Sequence, residues 1–293
     1  MERIAVLGLG IMGGGMAVNW LRKGYPTAVW NRTRAKAEAL TAEGAIVAAT
    51  PAAAAADADV IVAMVADDAA SREVWLGSDG ALAAAQPGAL IVDSSTVTPN
   101  WIRELAAKAA ERGCGFVDAP VGGSKQAAAE GQLVIFAGAE PEVFEKLRPV
   151  LGAVARVINH VGPVGAGATW KLINNMMVAI QISSLAEAMA MVARAGFDAK
   201  QVAGLIEASG FASGVIRGKL PRMMDHDYAA PDFNLSLMLK DTRYAVDMAR
   251  TLGVDLKLAP AAAELFAAAE RQGLGGGDVA GVAESVGAPA GGR

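Results

Sequence analysis

The chain has 293 residues, the length of one large domain or two ordinary ones. Its 26 Lys and Arg against 30 Asp and Glu leave a formal charge of −4, which argues against a broad basic surface for nucleic acid. Hydrophobic residues make up 53%, too apolar for disorder and ample for a sizeable core.

Ile4–Gly8 is an uncharged apolar run, the pattern of a strand covered on both faces. Gly8, Gly10, Gly13, Gly14 and Gly15 follow, and a helix then runs through Met16, Trp20 and Leu21 to a Lys23-Gly24 stop. The uncharged stretch from Ile4 to Leu21 approaches the length of a membrane span, but its glycines and Asn19 make strand, turn and helix the better reading. It also lacks the features of a signal peptide, so a cytoplasmic protein without a membrane partner is expected. Thr27–Trp30 reads as a second strand, Ala35–Leu40 as helix, Ile46-Val47 as a brief strand and Ala52–Ala56 as helix. Val60–Val65 is a strong strand. Ala89–Asp93 and Gly115–Asp118 follow, separated by a helix over Trp101–Arg112, and Leu133–Ala137 adds another strand. Strands alternating with helical stretches predict an α/β fold, with right-handed crossovers in a doubly wound, largely parallel sheet.

After about residue 163 the pattern turns wholly helical. Lys171–Arg194 reads as one long helix, with Leu172, Met176, Ile180 and Leu185 on an apolar face. Its long uncharged stretch predicts burial on several sides, between domains or between subunits. Met176-Met177 and Met189–Met191 read as core filler. The Gly- and Ala-rich tail from Gly273 is expected to end in mobile residues. The domains expected are 1–163, α/β, and 164–293, all-α and opened by the long helix.

Few residues offer metal or nucleophilic chemistry. Cys114 is the one cysteine, so neither an intrachain disulfide nor a Cys-based zinc site can form, and it reads as a small buried residue. His160 and His226 stand far apart without ligand spacing, and no metal is expected. Asp67-Asp68 reads as a helix start.

Gly8-Leu9-Gly10-Ile11-Met12-Gly13 matches G-x-G-x-x-G directly behind a predicted strand and at the head of a helix. The first glycine permits the tight turn, the second lets backbone approach a pyrophosphate, and the third brings helix against strand. Helix N–H groups then face the diphosphate. An NAD site usually places an acid at the end of the second strand, for the ribose 2′-hydroxyl. This chain has Asn31-Arg32-Thr33-Arg34 there. A guanidinium pairs with the 2′-phosphate of NADP and stacks on adenine, so Arg32, with Asn31 and Thr33 as hydrogen-bonding neighbours, favours NADP(H). The alternative reading of the segment is a solvated basic turn.

Four separated motifs, in order, resemble the β-hydroxyacid dehydrogenase family over nearly the whole chain. They are Gly8–Gly13 continuing to Met16-Ala17-Val18-Asn19; Asp118-Ala119-Pro120-Val121-Gly122-Gly123, followed by Gly131; Gly165-Ala166-Gly167-Ala168-Thr169-Trp170-Lys171-Leu172-Ile173-Asn174-Asn175; and Lys240-Asp241, preceded by Phe233 and Leu237. Ala66-Asp67, Ser95–Pro99 and Ser124-Lys125-Gln126 look most like the glyoxylate and succinic semialdehyde reductases within it. The resemblance implies an N-terminal Rossmann domain, a long interdomain helix and a helical domain through which the chain forms a homodimer or homotetramer. It implies reduction of a small carboxylated aldehyde or keto acid with NADPH. By the same resemblance Lys171 is the catalytic lysine, Asn175 its substrate-binding partner, and Thr96 a neighbour of nicotinamide and substrate. Gly122 and Gly123 correspond to the carboxylate-binding turn, Phe233 and Asp241 to the substrate pocket, and Val65 and Lys240 to cofactor contacts. Most members carry Ser where this chain has Gly122, and Trp170 is an unfamiliar neighbour for the lysine.

Chemistry supports this assignment. Hydride arriving at a carbonyl carbon leaves charge on oxygen, and a lysine ammonium can supply the proton. Residues 171 and 175 are four apart, on one face of a helix. The bland alternative is a lysine snorkelling from an apolar helix. Three other functions stay open: a 3-hydroxyisobutyrate-type dehydrogenase using NAD(P), an imine reductase on the same fold, and a non-catalytic NADP-binding protein.

Overall fold

The computed structural model describes residues 1–286; the expected mobile end of the tail lies outside the described residues. The chain divides into two compact units, Met1–Lys171 and Leu172–Arg293.

The first unit is built on a nine-stranded sheet: β1 (Ile4–Leu7), β2 (Thr27–Trp30), β3 (Ile46–Val47), β4 (Val60–Ala63), β5 (Leu90–Asp93), β6 (Gly115–Asp118), β7 (Val121–Gly122), β8 (Leu133–Gly138) and β9 (Ala155–Gly162). The order is β3-β2-β1-β4-β5-β6-β8-β7, with β9 also paired to β8. From β3 through β6 neighbouring strands run parallel, whereas β8 is antiparallel to β6 and β7. The period of two sorts side chains onto two faces. Ile4, Val6, Val60, Val62 and Val92 join Met16, Trp20, Phe144 and Leu147 on one side. Ala5, Leu7, Ile61, Ala63 and Ile91 join Trp75, Trp101, Ile102 and Leu105 on the other. Both faces are covered, which is why these strands carry no alternating polar residues.

Two strands go beyond the sequence expectation. β7 is two residues long, too short to show a period, and exists through its register with β8. β9 carries Arg156, Asn159 and His160, which interrupt its apolar signal; His160 stacks on Phe144 at 4.6 Å and its Nε2 bonds the Ala139 carbonyl.

The long helix spans Ala166–Arg194, 29 residues, and so begins ahead of the expected Lys171. Its first turn is capped from a distance. The Asp118 carboxylate accepts from the backbone N–H groups of Gly165 and Ala168, both at 2.8 Å. Its buried stripe runs Ala168, Leu172, Asn175, Ala179, Ile182 and Ala186, a spacing of three and four. Of the expected face Leu172 and Leu185 are buried, whereas Met176 and Ile180 flank the stripe, half-buried. Met177 and Met191 are exposed rather than core filler. In a single copy Gly167, Ser183 and Leu185 are buried as well, beside that stripe.

The second unit packs the remaining helices, Ala199–Ala208, Gly214–Met224, Leu235–Thr251 and Leu258–Ala269, around Leu220, Met238, Leu239 and Phe266. The segment Val279–Ser285 forms a 3₁₀ helix whose Val279, Ala280 and Val282 belong to that core. Buried Asp278 anchors it, accepting from Lys219 Nζ at 2.9 Å and from the backbone N–H of Asp232 and Ala280.

Candidate active site

The first constellation lies at the carboxyl ends of β1 and β2. Gly8 stands at φ +101, and a Cβ there would collide with the Met64 carbonyl. A Cβ on Gly13 would collide with the Gly8 carbonyl, so strand and helix meet backbone to backbone. Gly10, between them, has open space where a Cβ would point. The helix Ile11–Arg22 has no side-chain cap and no acid in its first turn. Its N–H groups and positive dipole end are thus left for an anion; Ile11 beside them is 39% exposed, while Leu9 is buried and Met12 half-buried. The residues present fit a dinucleotide diphosphate. Asn31 fastens β2 to this turn, its Oδ1 accepting from Leu9 N at 2.8 Å while its Nδ2 donates to the Thr33 carbonyl. Arg32 is exposed, and among the described residues its side chain has no hydrogen bond or ion pair.

A second constellation holds Thr96 and Val65. Ser95 Oγ accepts from Val65 N at 2.9 Å, and Ser95 N donates to Asp93 Oδ1 at 2.9 Å. Asp93 Oδ2 in turn accepts from Ser71 Oγ and Trp75 Nε1. At the far end of the loop, Thr98 donates through both N and Oγ1 to the Asp68 carboxylate. Asp67 caps the helix Asp68–Leu76, as its position predicted. The loop carrying Thr96 is therefore clamped on both sides, the preorganisation a ligand-contacting residue needs.

Asp93 and Asp118 are register partners on β5 and β6, and both are fully buried. Burial raises the Asp93 carboxyl, opposed by its Ser71, Trp75 and Ser95 donors. Burial also raises Asp118, to about 7, against the Gly165 and Ala168 N–H groups that favour its ionised form. The functional reading of the sequence passed over both acids. The signal was present in two apolar runs, Leu-Ile-Val-Asp and Gly-Phe-Val-Asp, that end alike.

Gly122 closes β7 in register with Val134, so it belongs to the ladder, and Gly123, at φ +136, turns the chain. Ser124 is the N-cap of the helix Lys125–Ala129, its Oγ accepting from Ala127 N at 3.2 Å. That oxygen accepts at the cap, and its hydroxyl proton stands two residues beyond position 122. Asn19 Nδ2 ties the glycine-turn helix to the same short helix, donating to the carbonyls of Gly15 and Ala128 at 2.8 Å.

In the second unit, Asn175 Nδ2 donates to Asp241 Oδ2 at 2.6 Å, and Lys240 Nζ lies 2.9 Å from Asp241 Oδ1. Asp241 is buried and serves both partners. Lys240 also lies over the Tyr244 ring at 4.9 Å. Phe233 packs against the helical core. Lys171 is half-buried one turn before Asn175 on the long helix.

Comparison with known proteins accords with this geometry. Residues 3–162 match the NAD binding domain of 6-phosphogluconate dehydrogenase, and residues 165–286 match the NAD-binding domain of NADP-dependent 3-hydroxyisobutyrate dehydrogenase. The chain is 33% identical to 2-(hydroxymethyl)glutarate dehydrogenase of Eubacterium barkeri, covering 96% of this chain and 93% of that protein. It is 32% identical to glyoxylate/succinic semialdehyde reductase 1 of Arabidopsis thaliana, covering 97% and 98%. Its fold superposes on 3-hydroxyisobutyrate dehydrogenase of Salmonella typhimurium with a TM-score of 0.89, at 31% identity and over 97% and 99% of the two chains. Matched from end to end, the chain belongs to the β-hydroxyacid dehydrogenase family and is an NAD(P)-dependent oxidoreductase acting on CH–OH groups.

Proposed function

We propose that this protein reduces a small carboxylated aldehyde or 2-keto acid, of the glyoxylate or succinic semialdehyde kind, to the hydroxy acid with NADPH, using Lys171 as general acid. The observation that carries the reading is Arg32. It is exposed at the end of β2 with no acid beside it, while Asn31 is held by Leu9. A free guanidinium at that point suits a 2′-phosphate, and an acid suited to a bare ribose is missing. The likeness to a plant reductase named for glyoxylate and succinic semialdehyde supports the substrate class.

Reduced nicotinamide supplies the hydride. As the carbonyl carbon is reduced, charge develops on its oxygen, and the Lys171 ammonium gives that oxygen a proton. The neutral amine is reprotonated from water. Asn175, fixed by Asp241, presents a rotationally locked amide one turn from Lys171. Thr96, in its clamped loop, borders nicotinamide and substrate, and backbone around Gly122 and Gly123 receives the carboxylate. Val65 and Lys240 contact the cofactor, and Phe233 closes the substrate's apolar side. The protein acts as a homodimer or homotetramer. The exposed Phe197, Leu205 and Phe211 of the helical unit support this.

The test is the initial rate of NADPH and NADH consumption with glyoxylate, succinic semialdehyde, tartronate semialdehyde and methylmalonate semialdehyde. Turnover of one or more with NADPH strongly preferred is expected. A preference for NADH would remove the role given to Arg32, and silence on all four would overturn the substrate class.

A further inference from the structure

Along β8, Leu133 and Ile135 are buried in the core, so Val134 and Phe136 point to the opposite face of the sheet. Gly122 is the register partner of Val134 on that face. A Cβ on Gly122 would meet the Phe136 ring at 3.3 Å and Val134 Cβ at 3.9 Å. The space beside position 122 is therefore bordered by an aromatic edge. Trp170 packs edge-to-face on Phe136, with ring centroids 6.2 Å apart and planes at 68°. Trp20, Trp75 and Trp101 of the same unit are sealed in its core, yet Trp170 remains 39% exposed. It immediately precedes Lys171 on the long helix. The same face continues through Val157, the register partner of Val134 on β9, which is 40% exposed.

An apolar surface of this kind gains by covering, roughly in proportion to the area removed from water, and an aromatic partner gains further from edge-to-face geometry. No side-chain hydroxyl stands at position 122, and Ser124 Oγ already accepts from Ala127 N. The side chains that border position 122 itself are Phe136 and Val134, with Trp170 packed on the Phe136 ring.

We propose that Phe136 and Trp170 form an aromatic wall beside the Gly122–Gly123 turn that receives an apolar substituent of the substrate, so that carboxylated carbonyl compounds bearing an alkyl or aryl group are preferred to glyoxylate. This rests on the reading of that turn and of Lys171 as substrate-facing.

The test separates the wall from the reaction. Isothermal titration calorimetry of the NADPH-loaded protein would compare phenylacetate with acetate, two carboxylates that carry no reducible carbonyl. Phenylacetate is expected to bind at least tenfold more tightly than acetate. In Trp170→Ala that ratio is expected to fall at least fivefold, and in Trp170→Phe to be largely kept. Should Trp170→Ala fail to fold by circular dichroism, Phe136→Ala carries the same expectation. Equal affinities in the native protein, binding of neither carboxylate, or a ratio that neither alanine variant moves would overturn the wall. Failure of the parent reading shows differently: no NADPH consumption with any carbonyl compound, while the phenylacetate preference persists.

Discussion

Asn31 and Arg32 are adjacent residues with separate duties. Asn31 is a structural tie, since losing its side chain would leave Leu9 N without its acceptor in the glycine turn. Arg32 is tied to nothing among the described residues, so its replacement reads cofactor choice with little disturbance of the fold. Arg32→Ala is expected to raise KM for NADPH about ten- to hundredfold, the worth of hydrogen bonds to a charged partner, and to leave KM for NADH nearly unchanged. Steady-state kinetics with the two cofactors check this. Lys171→Ala is expected to lower kcat by about 10²–10⁴-fold, the usual contribution of a positioned general acid. Calorimetric affinity for NADPH should survive that change, and loss of turnover with retained binding would exclude a non-catalytic protein.

At the scale of elements, the start of the long helix depends on one carboxylate from another strand. Asp118 reaches the helix N-terminus from β6, 47 residues away from Gly165. Sequence periodicity could not reveal this cap, because the capping acid lies on another strand and Gly165 and Gly167 weaken the local helical signal; the helix was expected from Lys171. The apolar strands β1, β4 and β5 and the glycine turn were legible, since their signals are local. β9 was not, because its pairing with β8 overrides a mixed composition. The sign of the pH effect follows from burial. The folded Asp118 carboxyl lies near 7, above its ordinary 3.8, so the native state holds a proton that the unfolded chain releases. Its contribution to stability is complete below pH ~4 and is lost as pH rises to ~7, by up to about 4 kcal/mol. Urea unfolding at pH 4.5, 6 and 8 should show wild type losing ground against Asp118→Asn as pH rises. The opposite slope would mean that the two N–H donors outweigh burial.

For the whole molecule, the succession of an α/β part and an all-helical part was legible in the change of texture along the chain. The register of the long helix was not, because an almost uniformly apolar surface does not mark which stripe is buried. Met191, Phe197, Leu205 and Phe211 stand 65–73% exposed in a single copy. Sedimentation of the native protein is expected to show a dimer or tetramer, and the double change Phe197→Asp with Phe211→Asp a smaller species. A persistent monomer in the native protein would remove the assembly proposal.

The unequal placement of the five tryptophans has an optical consequence. Trp20, Trp75 and Trp101 are out of reach of a collisional quencher, whereas Trp170 meets solvent and Trp30 is half-buried. Iodide should therefore divide the native emission into a silent fraction and a quenchable one. A ligand settling against Trp170 would shrink the quenchable fraction, giving the protein a label-free reporter located one residue from Lys171.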